Sequence, residues 1–115
     1  MKMVFYRTKG GASDVEKHLL GLNQKAAAGN QQAKKELADF YYCMERFQHG
    51  QPHSGVLQQG LYELRPGRHR YIYFFWNDEM VMLTEFRKTT NQTPDPELQR
   101  ALKRMKDWKS RHPKK

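Results

Sequence analysis

The sequence predicts a single α+β domain spanning residues 1–115. Three observations carry this. Residues 13–48 hold apolar side chains at helical spacing. Residues 61–86 switch to aromatic and β-branched runs of period two. Residues 94–108 return to helical spacing behind a proline start. Periodicity is the primary signal for element type, and this order puts two helices before a meander and one after it.

Met3 to Tyr6 reads as a short first strand. Gly10 and Gly11 then break the chain. Ser13 and Glu16 fit a capping box, in which hydroxyl and carboxylate each meet a free backbone N–H. Val15, Leu19, Leu22 and Ala26 follow on one face, and Gly29-Asn30 ends that helix. A second helix is expected from about Gln31 to Gln48, with Ala33, Leu37, Phe40, Tyr41, Met44 and Phe47 as its stripe. So short a connection predicts an antiparallel helical hairpin. HGQPHSG, residues 49–55, is a loop by composition, and His49 and His53 read as solvent-exposed.

LYELR (61–65), RYIYFFW (70–76) and MVMLTEF (80–86) are the three strands of an antiparallel meander. Pro66-Gly67 and Asn77-Asp78 are the turns between them. Thr93-Pro94 or Asp95-Pro96 supplies a helix cap followed by proline in the first turn. Leu98, Ala101, Leu102, Met105 and Trp108 face inward on this last helix, and the tail RHPKK is expected to fray. The first strand joins the meander in one sheet, and the helix pair covers a face of it, giving two layers.

The chain is strongly cationic, with net charge +9. Residues 1–60 carry 8 cations against 5 anions, and residues 61–115 carry 13 against 7. Such an excess predicts a polyanionic partner. With 37% apolar residues and a mean hydropathy of -1.00, no run is long enough to span a bilayer. MKMVFYRTKGG is too short in apolar residues for a secretory signal, so a cytoplasmic location is expected. Cys43 is the sole cysteine, which excludes a disulfide framework or a thiolate zinc site; within FYYCMERF it reads as a small buried hydrophobe. No cofactor or metal is expected.

The cations gather at one place. If Pro66 to His69 forms the turn, Arg65 and Arg70 become cross-strand neighbours, and residue 70 faces a position between 85 and 87. Arg65, Arg70, Arg87 and Lys88 then converge on one end of the sheet. Like charges opposite one another destabilise a sheet, and a bound anion relieves the conflict. A slip of one residue exchanges the faces, so the convergence is fixed but the inward choice between Arg87 and Lys88 is not. The competing bland reading is that Glu63 and Glu85 neutralise neighbouring arginines, and that Arg68 in the turn is solvated.

ELRPGRHRYIYFF, VMLTEFRKTTNQTP and ELQRALKRMKDW together resemble the RelE superfamily of toxins, in its HigB-like, phage-derived branch. The resemblance covers residues 61–108 densely. An ELR strand leads to R-x-x-Y, then a strand ending in Phe and basic residues, a polar loop, a proline, and a helix with A-x-x-R. Glu85 stands where the family commonly has a small residue, and Thr89 where a second lysine is usual. The resemblance implies a RelE-like fold and the toxin of a type II toxin–antitoxin system. It further implies a ribosome-dependent, metal-free mRNA endoribonuclease, in which the ribose 2′-OH attacks the adjacent phosphate. The partners implied are a cognate antitoxin, in a hetero-oligomer, and the ribosome with its mRNA.

On that reading Arg65 and Arg70 stabilise the phosphoryl transition state, since a planar guanidinium fork matches phosphate oxygens. Arg87 positions substrate, and Lys88 positions it or transfers a proton. His69 is a candidate base; Glu85 and Tyr73 are others, and His112 falls in the tail. Arg68, Arg100, Lys103 and Arg104 would contact RNA. Arg70→Ala is expected to leave the fold intact and abolish toxicity. Two alternatives stay open: a ParE-like inhibitor that binds DNA gyrase without cutting RNA, and a nucleic-acid-binding regulator without toxicity.

Overall fold

A computed structural model describes residues 2–49, 54–89 and 92–114. In order the elements are β1 (Lys2–Phe5), α1 (Asp14–Ala27), α2 (Gln31–Gln48), β2 (Ser54–Val56), β3 (Tyr62–Leu64), β4 (His69–Trp76), β5 (Glu79–Arg87) and α3 (Asp95–Arg111). The predicted α+β order therefore holds, with strand ends within one residue of the expected ones.

The strands form one sheet in the order β1-β5-β4-β3-β2. β1 runs parallel to β5, and the other neighbours are antiparallel. β2 corrects the reading of residues 49–55 as loop throughout. Three residues that include a glycine carry no period of their own, so pairing with β3 decides their conformation. The reading of His53 lies outside the described residues. Val56 remains 79% exposed on this edge; a short edge strand limits unwanted pairing with other chains.

The sheet is covered on both faces, so the molecule has three layers rather than two. On one face Val15, Leu19 and Leu22 of α1 and Leu37 and Phe40 of α2 pack on Leu64, Tyr71, Tyr73, Met80 and Met82. On the other, Ala101 and Trp108 of α3 join Leu61, Ile72, Phe74, Val81 and Leu83. Each fully buried aliphatic side chain among these contributes about 1.5–3 kcal/mol. Within the tail expected to fray, residues 112 and 113 are instead held by hydrogen bonds. Trp76 Nε1 donates to the His112 carbonyl at 2.7 Å, and the Asn77 amide donates to the Pro113 carbonyl at 3.1 Å.

Caps and turns follow local chemistry. The Glu16 N–H donates to Ser13 Oγ, but the Glu16 carboxylate reaches Arg7 instead of closing the box. Asn30 caps α2 by accepting from the Ala33 N–H at 2.9 Å. Neither proposed pair caps α3 with a side chain: Pro94 sits at the cap, and the Thr93 hydroxyl is engaged elsewhere. Asn77 and Asp78 both take positive φ, 51° and 62°, as a two-residue hairpin turn requires.

Candidate functional site

A β-bulge decides which side chains meet at the end of the sheet. Met80 and Met82 face the helical hairpin, so strict alternation would put Thr84 and Phe86 on that face and Glu85 and Arg87 on the other. The register shifts between Ile72 and Tyr73, where Ile72 pairs with Thr84 but Tyr73 pairs with Met82. Leu83 is the extra residue. Beyond it Tyr71 pairs with Glu85, and His69 with Arg87. The shift brings Glu85 and Arg87 onto the hairpin face beside His69 and Tyr71, and moves Phe86 among the side chains under α3.

On the hairpin face His69, Tyr71 and Arg87 line a cavity of about 270 Å³, with His18 from α1, Lys35, Glu36 and Asp39 from α2, and Arg68 from the turn. His69 Nε2 and Glu85 Oε2 are in direct hydrogen-bond contact. His18 Nδ1 lies 3.7 Å from the same oxygen, and the two imidazole rings stack with centroids 4.2 Å apart and planes 7° from parallel. The donor atoms of His18, His69 and Glu85 all fall within 4.8 Å of one another. Burial opposes ionisation of Glu85, but the His69 hydrogen bond and the fields of both histidines outweigh it and hold the carboxyl below its ordinary pKa. Burial pulls the His18 pKa below the usual imidazole value, against the pull of Glu85. Burial likewise pushes the Tyr71 phenol well above its ordinary pKa. Arg87 reaches Glu36 at 3.5 Å and remains largely exposed. Gly67 turns the chain at φ 59°, and a Cβ there would lie 3.0 Å from the Asp39 carboxylate. A histidine oriented by a carboxylate, beside two guanidinium groups, is equipped to accept a proton and stabilise a phosphoryl anion.

Arg65 and Arg70 are tied to a different anion. Glu63, buried on the α3 side, takes Arg65 Nε at 3.1 Å and Arg70 Nε at 3.7 Å, and accepts the Thr93 hydroxyl at 2.7 Å. The Arg70 side chain is 10% exposed and also donates to the Gly67 and His69 carbonyls, both at 2.8 Å. Burial lowers its pKa from the usual guanidinium value, and Glu63 opposes this. The like-charge conflict expected between these arginines is thus relieved inside the protein. Arg65 lies across the edge strand at Gly55, where a Cβ would fall 1.9 Å from its guanidinium.

The remaining sequence candidates divide. Lys88 follows Arg87, and its backbone N–H donates to the Arg68 carbonyl at 2.7 Å. Arg100 pairs with Glu97 one turn away, and Lys103 is exposed on α3. Arg104 is instead mostly buried, donating to the Leu83 carbonyl at 2.8 Å and to Asp14 at 2.5 Å. Tyr73 is fully buried between Phe47 and Tyr62, away from the cavity. His112 stacks on Trp108. Cys43 is buried, and burial raises its thiol pKa. His18 and Glu36 were not anticipated. The signal for His18 was present: it stands within the apolar stripe of α1, three residues after Val15.

The model of the family described as phage derived protein Gp49-like (DUF891) matches residues 26–106. The match covers more than half of the chain, which therefore belongs to this family, one of RelE/ParE-like toxins. No curated protein matches the sequence closely enough to assign a relative. No helix among the described residues is long and apolar enough to cross a membrane.

Proposed function

We propose that this Gp49-like chain is the toxin of a type II toxin–antitoxin pair and cuts mRNA on the ribosome. The carrying observation is the His69–Glu85 pair, flanked by Arg68 and Arg87 in one cavity. With Nε2–H donated to Glu85, the Nδ1 lone pair of His69 accepts the proton of a ribose 2′-OH. The 2′-oxygen attacks the adjacent phosphorus, and the P–O5′ bond breaks. Arg68 and Arg87 neutralise the charge that builds on the phosphoryl oxygens, an effect greater in the transition state than in the bound substrate. Lys88 is the candidate proton donor to the departing 5′-oxygen. The products are a 2′,3′-cyclic phosphate and a 5′-OH, and the scheme needs no metal. The exposed cations Arg100 and Lys103 serve ribosomal RNA, and a cognate antitoxin covers the cationic cavity in the cytoplasm.

The test is primer extension on a reporter mRNA after induction of the wild-type chain and His69→Gln in parallel. Cuts phased with codons are expected for the wild type, reduced about 100-fold or more in the variant, the usual weight of a general base. Growth arrest without cuts would replace this reading with the ParE-like one, inhibition of gyrase by binding. Tight nucleic-acid binding without growth arrest would indicate a regulator.

A further inference from the structure

We propose that His18, His69 and Glu85 form a binding site for a zinc-like divalent transition-metal ion, and that the bound ion switches the nuclease off. The switch rests on the reading of His69 as the base; the binding site stands without it.

The three residues project from α1, β4 and β5, so the framework behind each ligand is regular secondary structure. Zinc at about 2.0–2.2 Å from each ligand holds ligand atoms roughly 3.3 Å apart. The His18 Nδ1 to Glu85 Oε2 separation of 3.7 Å is close to that, and all three donors lie within 4.8 Å. Two imidazoles and one carboxylate suit zinc, cobalt or nickel rather than magnesium or calcium. Three protein ligands leave a fourth position for water. The near-parallel rings, 7° apart, must splay for both lone pairs to converge on one ion. The adjoining cavity of about 270 Å³ gives them room. Lys35, Arg68 and Arg87 on its lining stand against Glu36 and Asp39, and Glu85, bonded to the lining His69, adds the third anion. A cation is not repelled there as it would be over most of a chain of net charge +9.

Switching follows from imidazole chemistry. A metal on Nε2 of neutral His69 requires the ring proton on Nδ1. That nitrogen then donates and can no longer accept the 2′-OH proton. The Nε2 proton moves to Nδ1 through solvent, so the ring stays neutral while Glu85 turns from His69 to the ion.

The experiment is calorimetric titration of zinc chloride into the full-length, chelator-washed protein, with cobalt absorption as a second readout. One saturable equivalent with a tetrahedral cobalt spectrum is expected. His18→Ala, Glu85→Gln and, should the first misfold, His18→Gln should each weaken binding at least about tenfold, while His49→Ala leaves it intact. Phased mRNA cleavage should fall on saturation with zinc, return with chelator, and resist zinc in His18→Ala. Absence of a one-equivalent site, or a site indifferent to the His18 and Glu85 changes in folded protein, overturns the proposal. Cleavage unaffected by a bound ion overturns the switch. A zinc site in a protein that never cuts RNA supports the binding site while overturning the nuclease reading.

Discussion

Glu63→Gln tests whether Arg70 belongs to the site or to the scaffold. Glu63 and Arg70 expose 7% and 10% of their side chains, so the pair is in the buried regime. At their 3.7 Å separation the attraction is about 4.5 kcal/mol for an effective dielectric of 20. Removing one partner of a buried pair costs about 3–5 kcal/mol, because the other charge is left uncompensated. Arg65, at 50% exposure, adds at most about 1 kcal/mol. Glutamine keeps an acceptor for Thr93, and two carbonyls still hold Arg70. The expected loss is therefore near the lower bound, about 3 kcal/mol, or about 12 °C in Tm for a domain of this size. Urea unfolding followed by tryptophan fluorescence reads it. The double variant Glu63→Leu with Arg70→Met should recover most of the loss, since an apolar pair of similar volume removes both desolvated charges. A loss below about 1 kcal/mol for Glu63→Gln would refute the reasoning and return Arg70 to the site as a free guanidinium. Against the sequence-based expectation that Arg70→Ala spares the fold, the buried contacts of Arg70 with Glu63 and two carbonyls predict that this variant is destabilised. Loss of toxicity in that variant reports stability as readily as chemistry.

Gly55→Ala should displace the Arg65 guanidinium from the edge strand at a cost below about 1 kcal/mol, because the clashing group is the mobile end of an exposed side chain; a crystal structure of the variant with Arg65 unmoved would contradict this. Asp14 and Asp107 have pKa values held below the ordinary carboxylate by Arg104 and Arg111 respectively. Their contribution to stability is present above about pH 4 and is lost as pH falls through the depressed values, so Asp14→Asn with Asp107→Asn should flatten the acid limb of a Tm-against-pH curve while leaving its shape above pH 6 unchanged. Ending the chain at Arg111 removes the carbonyls that hold Trp76 and Asn77; a change in tryptophan emission and a loss of about 1–2 kcal/mol in urea unfolding are expected.

The helices were legible because their stripes are long and their breaks sharp: Gly29-Asn30 and Pro94 mark ends that the structure keeps. The meander was legible for the same reason, its turns being spelled by Pro66-Gly67 and Asn77-Asp78. β2 was not, since three residues on an edge take their conformation from a neighbour. The site was half legible. Convergence of Arg65, Arg70, Arg87 and Lys88 at one sheet end, with His69 beside them, follows from hairpin geometry alone. Their division between two faces depends on Leu83, and MVMLTEF contains no glycine or proline to mark a bulge there. Nor does sequence order place His18 beside His69; packing of α1 on the sheet does. Glu63 was weighed as a neutralising surface partner, and its burial under Thr93 is what makes it the arginines' own counter-ion.

The parallel pairing of β1 with β5 has a consequence for how the protein comes into being. Lys2 to Phe5 leave the ribosome well before their partners, Glu79 to Met82, which are made only after both helices and three other strands. β1 must wait with its backbone unpaired until β5 is made, and such late, long-range pairings close slowly. The cavity's Arg87 and the Glu85 that holds His69 emerge on that same last strand. A nascent chain therefore cannot present the site until β5 has been translated and has paired with both β4 and β1.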